Sequence, residues 1–339
     1  MYIKMKEIFA VLCLLALSVC TVSCIDEEQF NDDNNGNFEA LWKIMDEHYC
    51  FFDLKKQSLG VDWQEVHARY APQVAGANSE QLFEVLTKML GELRDGHVNL
   101  YSAFDIGRNW SWKEDYPVNF DETLYKRYIG TDYRIAAGIY YKILDDNIGY
   151  MRIPSFGSQP GNGNIDDILF HFMSCRSLII DVRENGGGMM TSAEILASRF
   201  VNKKTLVGYM QHKTGRGHND FSKLQEQYIE PSSYIRWQKP VFVLTNRGVF
   251  SAANEFVKYM KRCPNAVVIG DRTGGGAGLP FSSELPNGWG VRFSACPMYD
   301  ADGISTENGI EPDVYCSMKD LDMLHGLDTI IEKARQMSI

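Results

Sequence analysis

From about residue 134 onward, short apolar β-rich runs alternate with stretches of helical spacing, and this alternation constrains the fold more than any other feature of the chain. The runs occupy 135–144, 148–153, 178–182, 241–244, 267–269 and 291–293, with helical stretches at 164–173, 192–201 and 252–260. Strands separated by helices predict an α/β core with partly parallel strands and functional loops at the strand ends. The polar segment 205–238 interrupts the pattern and reads as a lid or a surface excursion. Ahead of the core, Leu41, Ile44 and Met45, then Val61, Trp63 and Val66, then Leu82, Phe83, Leu86, Met89 and Leu90 recur at helical spacing, broken at Gly60 and around 75–78. They predict a small N-terminal helical domain of three helices over 38–100, followed by the α/β core over 101–339. At 339 residues and 45% apolar, the chain can bury a sizeable core divided in this way.

The amino terminus has a different character. Lys4 and Lys6 precede an apolar stretch over 8–20, too short for a permanent span, so 1–23 read as a signal peptide. Thr21-Val22-Ser23-Cys24 resembles a bacterial lipobox with Cys24 as the lipidated residue, although Thr21 departs from the usual leucine. The acidic run Asp26-Glu27-Glu28 resembles the export signal of surface lipoproteins, and a solvated tether is the plainer reading of it. Residues 24–37 are then a lipidated, flexible tether, and the expected location is the cell envelope as an outer-membrane, surface-exposed lipoprotein. Beyond Cys24 the thiols are Cys50, Cys175, Cys263, Cys296 and Cys316; without CxxC or Cys/His spacing they read as buried thiols, with one or two disulfides as the alternative. A net charge of −10 argues against a nucleic-acid partner.

Three segments can carry chemistry. In SLIIDVRENGGG (177–188) a buried strand runs into three glycines and then a helix, so backbone N–H groups can turn toward an anion or a developing oxyanion. A tight turn is the plainer reading; a nucleotide site is disfavoured because neither GxxxxGK[ST] nor GxGxxG is present. In VFVLTNRGVFSAANEF (241–256) a second strand ends in a loop and a helix opens at Ser251. Two readings fit this serine: a helix N-cap, or a nucleophile whose alkoxide shares the positive helix end with the Ala252 N–H. In LRDGHVNL (93–100) His97 follows a turn, a context that the other six histidines lack.

Together with VIGDRTGGGAG (268–278) and ENGIEPDV (307–314), these segments resemble, in order, the tail-specific or C-terminal-processing protease family, the S41-type serine peptidases. The resemblance implies a crotonase-like α/β fold, Ser251 as nucleophile, an oxyanion hole from the backbone of Gly187 or Gly186 and of Ala252, and a peptide or protein substrate without metal or organic cofactor. Ser–Lys members carry a lysine about two dozen residues after the serine; none lies between Lys261 and Lys319 here. The chain therefore resembles the tricorn-like or retinoid-binding-protein-like branch, in which a histidine, here His97, is the general base. Tricorn-type members support that pair with a serine beside the histidine and a distant glutamate. Glu307 matches the glutamate, Gly96 stands where the serine would be, and Asp95 reads as the former of its own turn. Only 101–132 separate the histidine segment from the core strands, too short for a PDZ domain of roughly 80 to 100 residues. The expected activity is that of an endopeptidase or oligopeptidase whose substrate adds along a strand edge. The alternatives are an esterase using the same residues, and a non-catalytic surface protein that binds peptide, lipid or glycan on the same fold.

Overall fold

The computed structural model describes residues 29–114 and 116–338. The expected signal peptide, Cys24 and the acidic run after it lie outside the described residues. The tether ends sooner than expected. Helix α1 (Asn34–His48) begins inside the Asn-rich run because Asp33 caps it, accepting from the Gly36 N–H, while the Asn34 amide donates to the carbonyls of Val74 and Ala77. Helices α2 (Phe52–Leu59), α3 (Trp63–Tyr70) and α4 (Ser79–Gly91) follow, four where the sequence predicts three. The helix missed is α2, whose buried positions are only Phe52 and Lys55, so it carries no apolar period.

Beyond α4 the chain forms β1 (Asn99–Tyr101), β2 (Ile106–Arg108), α5 (Glu122–Ile129), β3 (Arg134–Ala136), β4 (Ile139–Ile143) and β5 (Ile148–Arg152). Next come α6 (Asn162–His171), β6 (Ser177–Asp181), α7 (Met190–Ala197), β7 (Thr205–Met210), β8 (Gln225–Ile229) and β9 (Val241–Thr245). The last elements are α8 (Ala252–Met260), β10 (Ala266–Gly270), β11 (Gly278–Glu284), β12 (Gly290–Tyr299), β13 (Val314–Tyr315), α9 (Asp320–Leu324) and α10 (Thr329–Met337).

One sheet has seven strands in the order β13-β10-β9-β6-β5-β4-β3, parallel from β13 to β5 and antiparallel thereafter. Its central strands β6 and β9 are buried at every position, as parallel strands covered on both faces must be. Alternate residues enter different cores. Leu178, Ile180, Val241 and Val243 pack with α6, α7 and α8, whereas Ile179, Phe242 and Leu244 pack with α5 and α10. The single run expected over 135–144 is a hairpin instead, because Ala137 and Gly138 both take positive φ (45° and 75°), the backbone of a two-residue turn.

The second sheet is antiparallel, β2-β1-β12-β7-β8 with β11 also on β12. Helices α1, α3 and α4 pack on it. Leu41, Met45, Trp63, Leu86 and Met89 share one core with Val291, Phe293 and Ala295 of β12. Segment 205–238 is thus not an open excursion: β7 and β8 form a hairpin joined to β12 at Met298 and Tyr299. Cys50, Cys175, Cys263, Cys296 and Cys316 are all free thiols, so the alternative of one or two disulfides is not realised among them.

Candidate active site

The two glycine- and serine-bearing segments leave neighbouring strands in the same direction. After β6 come Asn185 to Gly188, and after β9 comes the loop to Ser251 at the start of α8. Ser251 occupies the N-cap position of α8, but its side chain makes no capping hydrogen bond there. Its backbone stands at φ 58° and ψ −125°, a conformation that costs a non-glycine residue on the order of 1–3 kcal/mol and persists only where the surroundings enforce it. They do: the Ser251 N–H donates to the Gly275 carbonyl at 2.9 Å and the Phe250 N–H to the Asn185 carbonyl at 3.0 Å. The strained turn aims Oγ away from the helix and toward His97, whose Nε2 lies 3.0 Å from it.

His97 reaches this point from the other sheet, on the turn between α4 and β1. Asp95 builds that turn, with Oδ1 accepting from the His97 N–H at 2.7 Å and Oδ2 accepting from Tyr49 Oη at 3.0 Å and Ser294 Oγ at 2.9 Å. The Phe250 ring lies 4.8 Å from the imidazole, and Trp112 stacks on Phe250 at 4.3 Å. Gly96 is required by this packing, since a Cβ there would come within 2.6 Å of Trp112 Nε1 and 2.9 Å of Phe250 Cζ. Burial pushes the His97 pKa down to about 4, with Asp95 opposing and Arg292 adding to the shift. The ring is neutral near pH 7, and an unprotonated Nε2 can accept the Ser251 proton. Among the described residues, buried His97 Nδ1 has no hydrogen-bond partner.

Glu307 is not brought to the imidazole. One of its oxygens lies 3.4 Å from Lys55 Nζ and the other accepts from the Ala277 N–H at 2.9 Å, while its carbonyl accepts from the Gly276 N–H at 3.0 Å. Burial and Asp95 raise its carboxyl, to about 8, against the pull of Lys55. The residue therefore fixes the loop 275–277 that in turn holds the Ser251 backbone. With Gly96 in place of a serine, no side chain among the described residues links Glu307 to the imidazole by hydrogen bonds.

The expected oxyanion donors are also rearranged. Gly187 sits against Ser251, where a Cβ would meet Ser251 Cβ at 2.8 Å, but its N–H donates to Asn185 Oδ1 at 2.9 Å and is not free for a ligand. Gly186 does not line the cleft in front of Ser251; Gly188 and Ala252 do, and among the described residues neither N–H has an acceptor. This cleft, about 280 Å³, lies between Met189, Met190, Leu279 and Pro280, with Ser251 and His97 within it. Sequence reasoning missed Lys55, Trp112, Gly188 and Arg292. Gly188 alone carried a signal, as the last of three glycines. No group of three or more His, Cys, Asp or Glu among the described residues could hold a metal ion.

Two family models match the chain: peptidase family S41 over residues 147–316, and the tricorn protease C1 domain over 30–91, the stretch occupied by α1 to α4. A solved structure of a putative peptidase from Parabacteroides merdae is 51% identical, with a TM-score of 0.86, covering 91% of this chain and 98% of that one. The carboxy-terminal processing protease CtpA of Bacillus subtilis is 26% identical over 192 residues, 56% of this chain. The tricorn protease of Thermoplasma acidophilum is 28% identical over 199 residues. The chain spans well under half the length of these two curated relatives, 39% and 17%.

Proposed function

Because the chain belongs to peptidase family S41, we propose that it is a serine peptidase acting on peptide or protein substrates through a Ser–His pair. The observation that carries this reading is the 3.0 Å contact between Ser251 Oγ and the Nε2 of a buried histidine, made from a strained backbone at a helix N-terminus. Ser251 Oγ attacks the scissile carbonyl while His97 Nε2 takes its proton, and the oxyanion is received by the amides of Gly188 and Ala252 at the positive end of α8. His97 then passes the proton to the leaving amine, and water hydrolyses the acyl-enzyme by the same route. The crotonase-like reading of the core is supported by the parallel strands that deliver both loops to this point. Strand addition by an extended substrate, in the manner of an endopeptidase or oligopeptidase, is supported by β11, an edge strand whose Gly278, Leu279 and Pro280 line the cleft.

A fluorophosphonate probe tests the reading directly, because it labels only an activated serine. Labelling of Ser251 is expected in the wild type, and its rate should stay flat from pH 7 to about 5 and fall as the pH drops through about 4. The sign follows from the depressed pKa: only the neutral imidazole can accept the proton, and burial keeps it neutral well below the usual histidine range. Near-UV circular dichroism at each pH separates protonation from unfolding. An inflection near 6.5 in a folded protein would contradict a buried base, and a wild type that never labels would remove the peptidase reading.

We also propose lipid anchoring at Cys24 and location in the outer membrane, supported by the lipobox-like TVSC sequence. Palmitate incorporation in cells should be lost in Cys24→Ser; its persistence in that variant would refute anchoring there.

A further inference from the structure

The cleft before Ser251 contains two residues of opposite charge besides the catalytic pair, Glu255 and Arg292. Glu255 is fully buried and already neutralised, with Lys258 Nζ 2.5 Å from its carboxylate. Arg292 is different. It stands on β12 opposite Asn99 of β1 and Ser282 of β11, half-buried, and among the described residues it makes no ion pair and no side-chain hydrogen bond. The fully buried arginines behave otherwise. Arg183 bonds Asp181 and Asp328, and Arg199 bonds Asp166 and the Ile235 carbonyl. A guanidinium partly withdrawn from water without an acceptor leaves a planar fork of donors whose best complement is a carboxylate held by two parallel bonds.

We propose that Arg292 recognises a carboxylate of the substrate, contributed either by an acidic side chain near the scissile bond or by a free C-terminus. The inference rests on the Ser–His reading of the same cleft and adds to it a substrate class. It also gives the substrate a part in the chemical step. Burial is the main reason a charged His97 is disfavoured and Asp95 opposes it; Arg292 adds a smaller push in the same direction as burial, and His97 must become an imidazolium as Ser251 attacks. A carboxylate seated on Arg292 offsets that smaller push at the moment the proton moves.

The test uses the purified full-length chain and follows the rate of fluorophosphonate labelling of Ser251 in the presence of matched peptides. One set ends in a free carboxylate, one in a C-terminal amide, and one carries the amide with Glu replacing Gln at successive positions. A carboxylate-bearing peptide should protect Ser251 at about tenfold lower concentration than its all-amide match, the scale of one charge-assisted contact. The advantage should vanish in Arg292→Gln and persist in part in Arg292→Lys. Whichever arm protects, free acid or internal Glu, identifies the source of the carboxylate. Equal protection by acid and amide in a wild type that labels would overturn the assignment of Arg292 and leave the nucleophile standing. A wild type that does not label removes both. If Arg292→Gln fails to fold, the wild-type comparison and the lysine variant still decide.

Discussion

Replacing His97 by alanine is expected to slow peptide hydrolysis by about 10³-fold or more, and combining it with Ser251→Ala should cost nothing further. The two side chains act as one unit: without the imidazole, Oγ keeps its proton, and without Oγ the imidazole has nothing to activate. Losses that multiplied in the double variant would mean that each residue works independently and would sink the pairing. The test is clean because neither side chain is a keystone of the fold. Among the described residues the only side-chain hydrogen bond of His97 runs to Ser251 and its Nδ1 has no partner, and the turn is built by Asp95 through the backbone. Ser251→Ala removes one oxygen and leaves the bonds from the Ser251 and Phe250 amides untouched. Thermal midpoints close to that of the wild type are therefore expected for all three variants.

What the sequence disclosed and what it hid follow from one distinction. Strands β5, β6 and β9 are legible because burial on both faces demands continuous apolar runs, and those runs are visible in one dimension. Strands β8 and β11 lie at sheet edges with exposed Gln, Glu, Ser and Phe positions, so nothing in their composition announces pairing. At the site the same division holds. Ser251 and His97 sit in motifs whose residue order survives in sequence, so they could be named before their contact was known. Lys55, Trp112 and Arg292 act across long sequence separations, through contacts that only the packing of the helices and the antiparallel sheet on the parallel one creates. Gly96 marks the boundary between the two cases. Its departure from the tricorn-type serine was visible, and the reason for it, a Trp112–Phe250 stack occupying the space of a side chain, was not.

The largest effect on stability is expected beneath the site, at Arg183. This residue is wholly buried two positions before Asn185. Its Nε and Nη2 bond the Asp181 carboxylate at 3.0 and 2.7 Å, and its Nη1 reaches Asp328 at 2.9 Å and the Asn119 carbonyl at 3.2 Å. Asp328 caps α10 through the amides of Ile330 and Ile331, and Asp181 also accepts from Tyr150 Oη at 2.8 Å. One guanidinium thus ties the end of β6 to the last helix. Arg183→Met fills the space but takes the cation from buried Asp328 and leaves Asp181 only Arg152, at 3.7 Å, and removal of one partner from such a cluster costs about 3–5 kcal/mol. The expected result is a lower urea midpoint with the slope of the transition unchanged. The penalty should also depend on pH in a fixed direction. Burial raises the Asp181 pKa, but Arg183 and Arg152 together hold it below its ordinary value in the wild type. A depressed carboxyl contributes stability above its unfolded pKa, about 3.9, that is lost as the pH falls through the folded value. In Arg183→Met the lowering by Arg183 is gone, so the variant's deficit should be greatest near pH 7 and shrink toward pH 4 as Asp181 takes up a proton. A deficit below about 1 kcal/mol at pH 7, or one that grows on acidification, would show that the cluster contributes little to holding β6 and α10 together.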